Sequence, residues 1–297
     1  MDLIYDWPMG HGPDVDVFAS GSVAEVAAAL ESGGWHSIAF TEHPAPPAAW
    51  LQGGGHQSLD PFVALAAAAS ATSRLRLLTY LAVAPYRNPV MLAKAAATLD
   101  VISAGRLTLG LGTGYLKGEF RAVGADFDHR NAGFDELLDV LPLHWSGEPF
   151  SYDGTSFSAR DVIGLPAPIQ QPIPVWIGGN AAVTRRRVAQ RAQGWMPLVA
   201  SPEVVAVTRT PAVTGVDDVA ARVSEIRDLR GNGDFDVLYP YKEPDLATGI
   251  PSDLDRHIDA LGRLADAGVT AVALTGPGDG PLERTIEWID AMGSGLG

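Results

Sequence analysis

The sequence predicts one α/β domain over residues 1–297, folded as a (β/α)8 TIM barrel with insertions. Three observations lead there. Strand-like and helix-like segments alternate from end to end of the chain, eight of each, which favours a closed barrel over a doubly wound sheet. The strand-like segments are near-continuous apolar runs, the pattern of parallel strands buried on both faces. The residues that follow several of these runs are polar or glycine-rich, and such barrels gather function at the C-terminal ends of their strands.

The elements follow in order. Residues 2–7 read as a first strand, and residues 22–32 as a helix opened by the capping box Ser22-Val-Ala-Glu25 and closed at Gly33-Gly34. Residues 37–41 form a second strand. Asp60-Pro61 then supply the N-cap and first-turn proline of a helix running through the alanine run to Ala71, after a long Pro- and Gly-rich connection. Residues 76–84 are a third apolar strand, 89–103 a helix, 107–111 a fourth strand, and 131–145 a helix that Pro142 should interrupt. The Gly, Pro, Ser and aromatic content of residues 148–172 marks an insertion containing a hairpin. The alternation resumes with strands at 175–177, 195–198, 236–239 and 271–274. Helices are expected at 181–193, within the stretch up to Arg230, at 252–267 and at 282–292.

Composition narrows the function. Hydrophobic residues are 46% of the chain and charged ones 19%, enough apolar material for a large core and too little charge for disorder. The absence of cysteine excludes disulfides, thiolate metal sites and a thiol nucleophile. A net charge of -14, with no basic cluster beyond Arg185, Arg186 and Arg187, argues against nucleic acid as a partner. These three arginines read as a solvated helix face. No leader-like start and no apolar stretch of 18 residues is present, so neither export nor a membrane is expected and the chain is read as cytoplasmic.

Chemistry is sought at the strand ends. Glu42 and His43 follow the second strand, where a histidine can act as acid, base or hydrogen-bond donor near neutral pH. A structural histidine is the competing reading. Gly178-Gly179-Asn180 lies between a strand and a helix, so it is either a phosphate-binding turn or simply a tight one. Gly110-Leu-Gly-Thr-Gly114 lacks the full dinucleotide fingerprint. Trp7, Trp50, Tyr80 and Tyr115 could line a pocket for a flat ring or serve only in packing. No HExxH or paired-histidine spacing is present, so no metal site is expected.

Three segments carry a resemblance. TEHPAPPAAW, YRNPVMLAKAAATLDVISAGRLTLGLGTGYLKGEFRAVGADFDHR and PIPVWIGGNAAVTRRRVAQRAQGWMPL resemble the luciferase-like monooxygenase superfamily, particularly its deazaflavin (coenzyme F420)-dependent oxidoreductase branch. The likeness covers about residues 1–200. It implies a barrel, usually dimeric, that holds a flavin or deazaflavin in its mouth and passes hydride to or from a small-molecule substrate. Residue by residue, it makes Glu42 and His43 the acidic-histidine pair beside the ring. It sets Thr113 against the isoalloxazine or its side chain, and makes Gly178, Gly179 and Asn180 the phosphate turn, with Arg130 assisting. It also implies a non-proline cis peptide at Tyr80-Leu81 behind the ring. One departure is plain: the deazaflavin sugar-phosphate dehydrogenases have a glutamate directly after GTG, where this chain has Tyr115, a residue better suited to hydrogen bonding. Their substrate therefore does not carry over. Ser201, Tyr241 and Lys242 are the candidates for the acidic tail that F420 carries beyond its phosphate.

The expectation is thus an F420-dependent oxidoreductase with His43 as proton donor or polarising group. An FMN-dependent monooxygenase and a non-catalytic flavin-binding barrel are the alternatives. A cofactor-free hydrolase or aldolase is disfavoured, since Lys94 lies within a helix and no metal constellation is visible.

Overall fold

The computed structural model describes residues 1–200, 202–208 and 210–297. Eight parallel strands close on themselves: β1 (Asp2–Asp6), β2 (Ser37–Phe40), β3 (Arg76–Thr79), β4 (Leu107–Gly112), β5 (Val175–Gly178), β6 (Gly194–Met196), β7 (Asp236–Pro240) and β8 (Ala271–Leu274). Closure is made where β1 pairs with β8, Asp2 opposite Ala271 through Tyr5 opposite Leu274. Each strand is followed by a helix: α1 (Val23–Ser32), α2 (Pro61–Ala71), α3 (Pro89–Ile102), α4 (Arg130–Trp145), α5 (Ala182–Arg191), α6 (Val216–Arg230), α7 (Leu254–Asp266) and α8 (Leu282–Leu296). The expected barrel is the observed one. Among the described residues no helix is long and apolar enough to cross a membrane.

The helix starts obey their local chemistry. Ser22 and Glu25 form the reciprocal capping box of α1, and Asp60 accepts from the Phe62 and Val63 amides ahead of α2. Asn88 does the same for α3 through Val90 N-H. Two expectations fail. The helix α4 runs through Pro142 rather than breaking there, because its last turn is pinned from outside: the Trp145 indole donates to the Ala93 carbonyl of α3 at 3.0 Å. Arg185 and Arg187 do not form a solvated face. Arg187 pairs with Asp135 of α4 at 2.7 Å and Arg185 with Glu225 of α6 at 2.9 Å, so only Arg186 of the three stays exposed. The insertion at 148–172 does contain a hairpin, Phe150–Asp153 against Ser158–Val162.

The core has two shells. Most buried apolar side chains lie between strands and helices. A smaller set fills the barrel's axis: Ile4, Ala39, Leu78, Trp176, Met196, Leu238, Ala271 and Ala273, with Tyr80 and Leu81 packed on top. That plug is the floor of the mouth.

The third strand does not run on to residue 84. Leu78 is opposite Thr108 of β4, but Ala82 is opposite Leu111, so four residues on one side span three on the other. The extra residue makes a bulge, and the Tyr80–Leu81 peptide within it is cis. Thr79 mends the broken ladder: its hydroxyl donates to the Gly110 carbonyl at 2.7 Å and accepts from the Gly110 amide at 2.8 Å. The approach is so close that a Cβ on Gly110 would lie 1.9 Å from the Thr79 carbonyl oxygen.

Candidate active site

Above this floor the strand ends enclose a cavity of about 720 Å³, the size of a cofactor or drug-sized ligand site. Two mouth-side insertions roof it. Gly10–His11 after β1 pairs antiparallel with His56–Gln57 after β2, and a short helix, Ala48–Gln52, stands beside them.

His43 faces this cavity. Its backbone N-H donates to Ser58 Oγ at 2.8 Å, and its ring lies among those of Trp50, His56 and Tyr115, at centroid distances of 4.9, 4.7 and 6.0 Å. His43 Nδ1 is 3.1 Å from Glu119 Oε2, and that same oxygen accepts from the Tyr86 hydroxyl at 2.8 Å. Burial, then the neighbouring Glu119 charge, pushes the Tyr115 phenol up to about 12. Tyr115 is therefore a hydrogen-bond donor at neutral pH. His56 is pushed down to about 4 by burial first and then by the His43 and His11 charges, so it stays neutral above that pH.

Glu42, paired with His43 in sequence, also lines the cavity, but its carboxylate is engaged by the protein. Its carboxylate accepts from Val83 N-H at 2.6 Å and meets the Arg87 guanidinium at 2.5 Å, while the same guanidinium reaches Asp60 at 3.1 Å. That side chain ties β2 to the residues after the bulge. It is engaged by the protein, which suits a structural part better than the catalytic one expected.

Of the ring-binding candidates, Tyr80, Leu81 and Thr113 all line the cavity. The glycines beneath have a packing reason: a Cβ on Gly112 or Gly178 would come within 2.4 or 2.3 Å of a Leu81 methyl. Gly178 is thus glycine to seat Leu81, and Gly179 to adopt a φ of +111°. The expected phosphate donors need correcting. Gly179 N-H is taken by the Met196 carbonyl and Asn180 N-H by the Thr210 hydroxyl. Asn180 is fully buried and does not line the cavity, since its amide clamps Leu198 and Pro211. The helix start one step on is uncapped: α5 has no side-chain cap, and its N-cap Ala181 and first-turn Val183 and Thr184 line the cavity.

Arg130 lines the same cavity, held by the Phe127 carbonyl at 2.7 Å, and Lys242 lines it from beyond β7. Tyr241 does not, because its hydroxyl is buried on His257 Nδ1 at 2.8 Å. Trp7 stacks on Phe40 and does not line the cavity. Ser201 lies outside the described residues.

Two site groups escaped the sequence reading. Asp6, 3% exposed, is the next inward residue after Ile4 on β1, so it caps the barrel's plug and lines the cavity. Burial pushes its carboxyl up to about 6, against the pull of Lys242 and a 3.3 Å hydrogen bond from Thr275. The alternation of β1 could have exposed it. Glu119 has no such signal, for it sits on a one-and-a-half-turn helix, Lys117–Ala122, between β4 and α4.

Known proteins agree with this architecture. The family model of luciferase-like monooxygenases matches residues 6–222. This chain belongs to that family. An uncharacterized protein of Mycobacterium tuberculosis is 29% identical over 243 residues, covering 81% of this chain and 77% of its own. The F420-dependent glucose-6-phosphate dehydrogenase of Gordonia bronchialis is 27% identical over 193 residues, 63% of this chain and 56% of that enzyme. Among solved structures, the monooxygenase RslO1 of Streptomyces bottropensis superposes with a TM-score of 0.71 at 23% identity, over 100% of this chain and 98% of that one. An F420-dependent secondary alcohol dehydrogenase bound to an F420-acetone adduct gives 0.72 at 17%, over 99% and 97%. The FMN-bound oxygenating constituent of 3,6-diketocamphane monooxygenase of Pseudomonas putida gives 0.68 at 15%, over 99% and 97%. At these identities the structural neighbours establish the luciferase-like barrel, and both cofactor types occur upon it.

Proposed function

We propose that the protein is an oxidoreductase that binds coenzyme F420 in the barrel mouth and exchanges hydride with a small organic substrate. The observation that carries this reading is one continuous cavity with an uncapped helix N-terminus and two cations, Arg130 and Lys242, in its walls, and a buried histidine in the same walls. A ligand with a flat ring and a phosphate matches that combination. When bound, the deazaflavin supplies a two-electron hydride acceptor or donor. The protein's part is then to hold the phosphate with the first-turn amides of α5, assisted by Arg130, and to seat the ring against Tyr80, Leu81 and Thr113. His43 gives or takes the proton that accompanies the hydride, and Tyr115 orients the substrate by a hydrogen bond. Lys242 suits the acidic tail.

The sequence likeness to an F420-dependent dehydrogenase supports F420 over FMN, because no residue in the phosphate turn separates the two. FMN-dependent monooxygenation is the second reading, favoured by the FMN-bound neighbour. Titration of the apo protein with each cofactor at equal ionic strength decides between them. Tighter F420 binding with deazaflavin-linked turnover is expected. Tighter FMN binding overturns the assignment, and affinity without turnover on any alcohol, aldehyde or ketone tried points to a non-catalytic barrel.

A further inference from the structure

Glu119 is a buried carboxylate whose Oε2 accepts from the Tyr86 hydroxyl and lies within hydrogen-bond distance of His43 Nδ1. Its side chain is 1% exposed and that of His43 is 7%. The neighbouring Arg87 is occupied by Glu42 and Asp60, and His43 Nδ1 stands 3.1 Å from Glu119 Oε2. The Tyr86 phenol, pushed up by burial and by the Glu119 charge, keeps its proton and donates. An oxygen that already accepts from Tyr86 has only an acceptor to offer the imidazole.

The pair is held from both sides. Gly114, at φ +74°, turns the chain out of β4 into the helix carrying Glu119, and a Cβ at Gly118 would lie 2.5 Å from Pro47, so the helix rests directly on the loop that follows His43. Phe120 packs edge-on against Tyr86 at 4.9 Å. Ser58 fixes the His43 backbone, and Trp50 and His56 confine its ring.

We propose that Glu119 is the positioning residue of His43: it accepts a hydrogen bond from Nδ1-H, locks the neutral ring in the Nδ1-H tautomer and leaves Nε2 free to exchange a proton with the substrate. The hydrogen bond at one ring nitrogen decides which nitrogen carries the proton. With Nδ1-H spent on the carboxylate, Nε2 accepts a hydroxyl proton when a substrate is oxidised and returns it when one is reduced. This role in turnover rests on the oxidoreductase reading above, whereas the tautomer does not.

The test therefore reads the tautomer first, on the full-length apo protein. Long-range 1H-15N spectra at a pH where the ring is neutral, with His43 assigned by the signal lost in His43→Gln, are expected to show Nδ1-H in the wild type, opposite to the Nε2-H form that free histidine prefers. Glu119→Gln, whose amide can present an N-H to Nδ1, is expected to shift the ring to Nε2-H. Tyr86→Phe is expected to keep Nδ1-H. In the loaded enzyme Glu119→Gln should lower kcat by about 10²-fold or more with cofactor Kd changed only a few fold, and Glu119→Asp should recover part of the loss. A wild-type ring in the Nε2-H form overturns the proposal without recourse to any variant, and so does a Glu119→Gln enzyme with unchanged kcat. If the wild type turns over with neither cofactor, the oxidoreductase reading fails while the tautomer result stands.

Discussion

At the scale of the residue, the mouth separates side chains that hold structure from side chains left to act on a ligand. Glu42 and His43, neighbours in sequence, both line the cavity, but Arg87 and the Val83 amide hold the Glu42 carboxylate, whereas the proposed function assigns His43 to the ligand. His43→Ala should therefore leave cofactor affinity within a few fold and lower turnover by about 10² or more, the size of a general acid-base contribution. Calorimetric titration beside steady-state rates checks it, and loss of cofactor binding would make the histidine structural. Asp6 permits a prediction about pH. Its folded value of about 6 lies above the ordinary 3.8, so the folded chain holds the proton more tightly and loses stability as pH rises through that window. Asp6→Asn removes that loss. The unfolding free energy of the variant minus that of the wild type should rise by about 1–3 kcal/mol between pH 4 and pH 7, as denaturant melts at each pH would show. A flat difference would mean that the carboxyl is not destabilised by burial. His43 was legible because it follows an apolar strand directly, and Asp6 would have been from the alternation of β1. Glu119 was not, since its partner stands 76 positions away and only the packing of the Lys117–Ala122 helix on Pro47 brings them together.

At the scale of the element, the departure with most consequence is the bulge between Thr79 and Ala82. The apolar run at 76–84 reads as one strand because hydrophobicity records burial and not register. What the sequence does carry is the glycine at 110, which admits the Thr79 carbonyl, and the glycines at 112 and 178, which make room for Leu81. Each is intelligible only once its neighbour in space is known. The N-terminal caps of α1 and α2, by contrast, were readable, since capping is decided within four residues. The inward turn of Arg187 was not, because its partner Asp135 belongs to another helix. The bulge makes a measurable claim. Thr79 is fully buried and its hydroxyl is the partner of both the N-H and the C=O of Gly110. Thr79→Val keeps the shape and strands both groups, each costing about 1–3 kcal/mol when left unpaired. A loss of roughly 2–4 kcal/mol is expected in urea unfolding, against under 1 kcal/mol for Thr79→Ser, which retains the hydroxyl. Equal losses in the two variants would assign the effect to the methyl group instead.

At the scale of the whole molecule, a surface of net charge -14 surrounds a mouth furnished with Arg130 and Lys242. F420 and FMN are both anions, so the global field and the local one act in opposite senses on an incoming ligand. Distance decides which governs each rate. At about 10 mM salt the screening length is roughly 30 Å, comparable to the molecule, and the net negative charge slows approach; at about 150 mM it is roughly 8 Å, and only the groups close to the bound ligand are felt, Arg130 and Lys242 among them. The association rate constant of either cofactor should therefore rise as salt is raised from about 10 to 150 mM, the reverse of ordinary steering. The dissociation rate constant should rise too, because salt weakens the contacts of the bound phosphate with the charges around it. Lys242→Gln isolates the local part: it should raise the dissociation rate constant several fold at low salt while leaving the salt dependence of association nearly unchanged. Stopped-flow fluorescence of the flavin or deazaflavin resolves the two constants. If association slows with added salt in the wild type, the mouth's own potential reaches further than the charge of the chain, and the cations there act as a funnel instead of a latch.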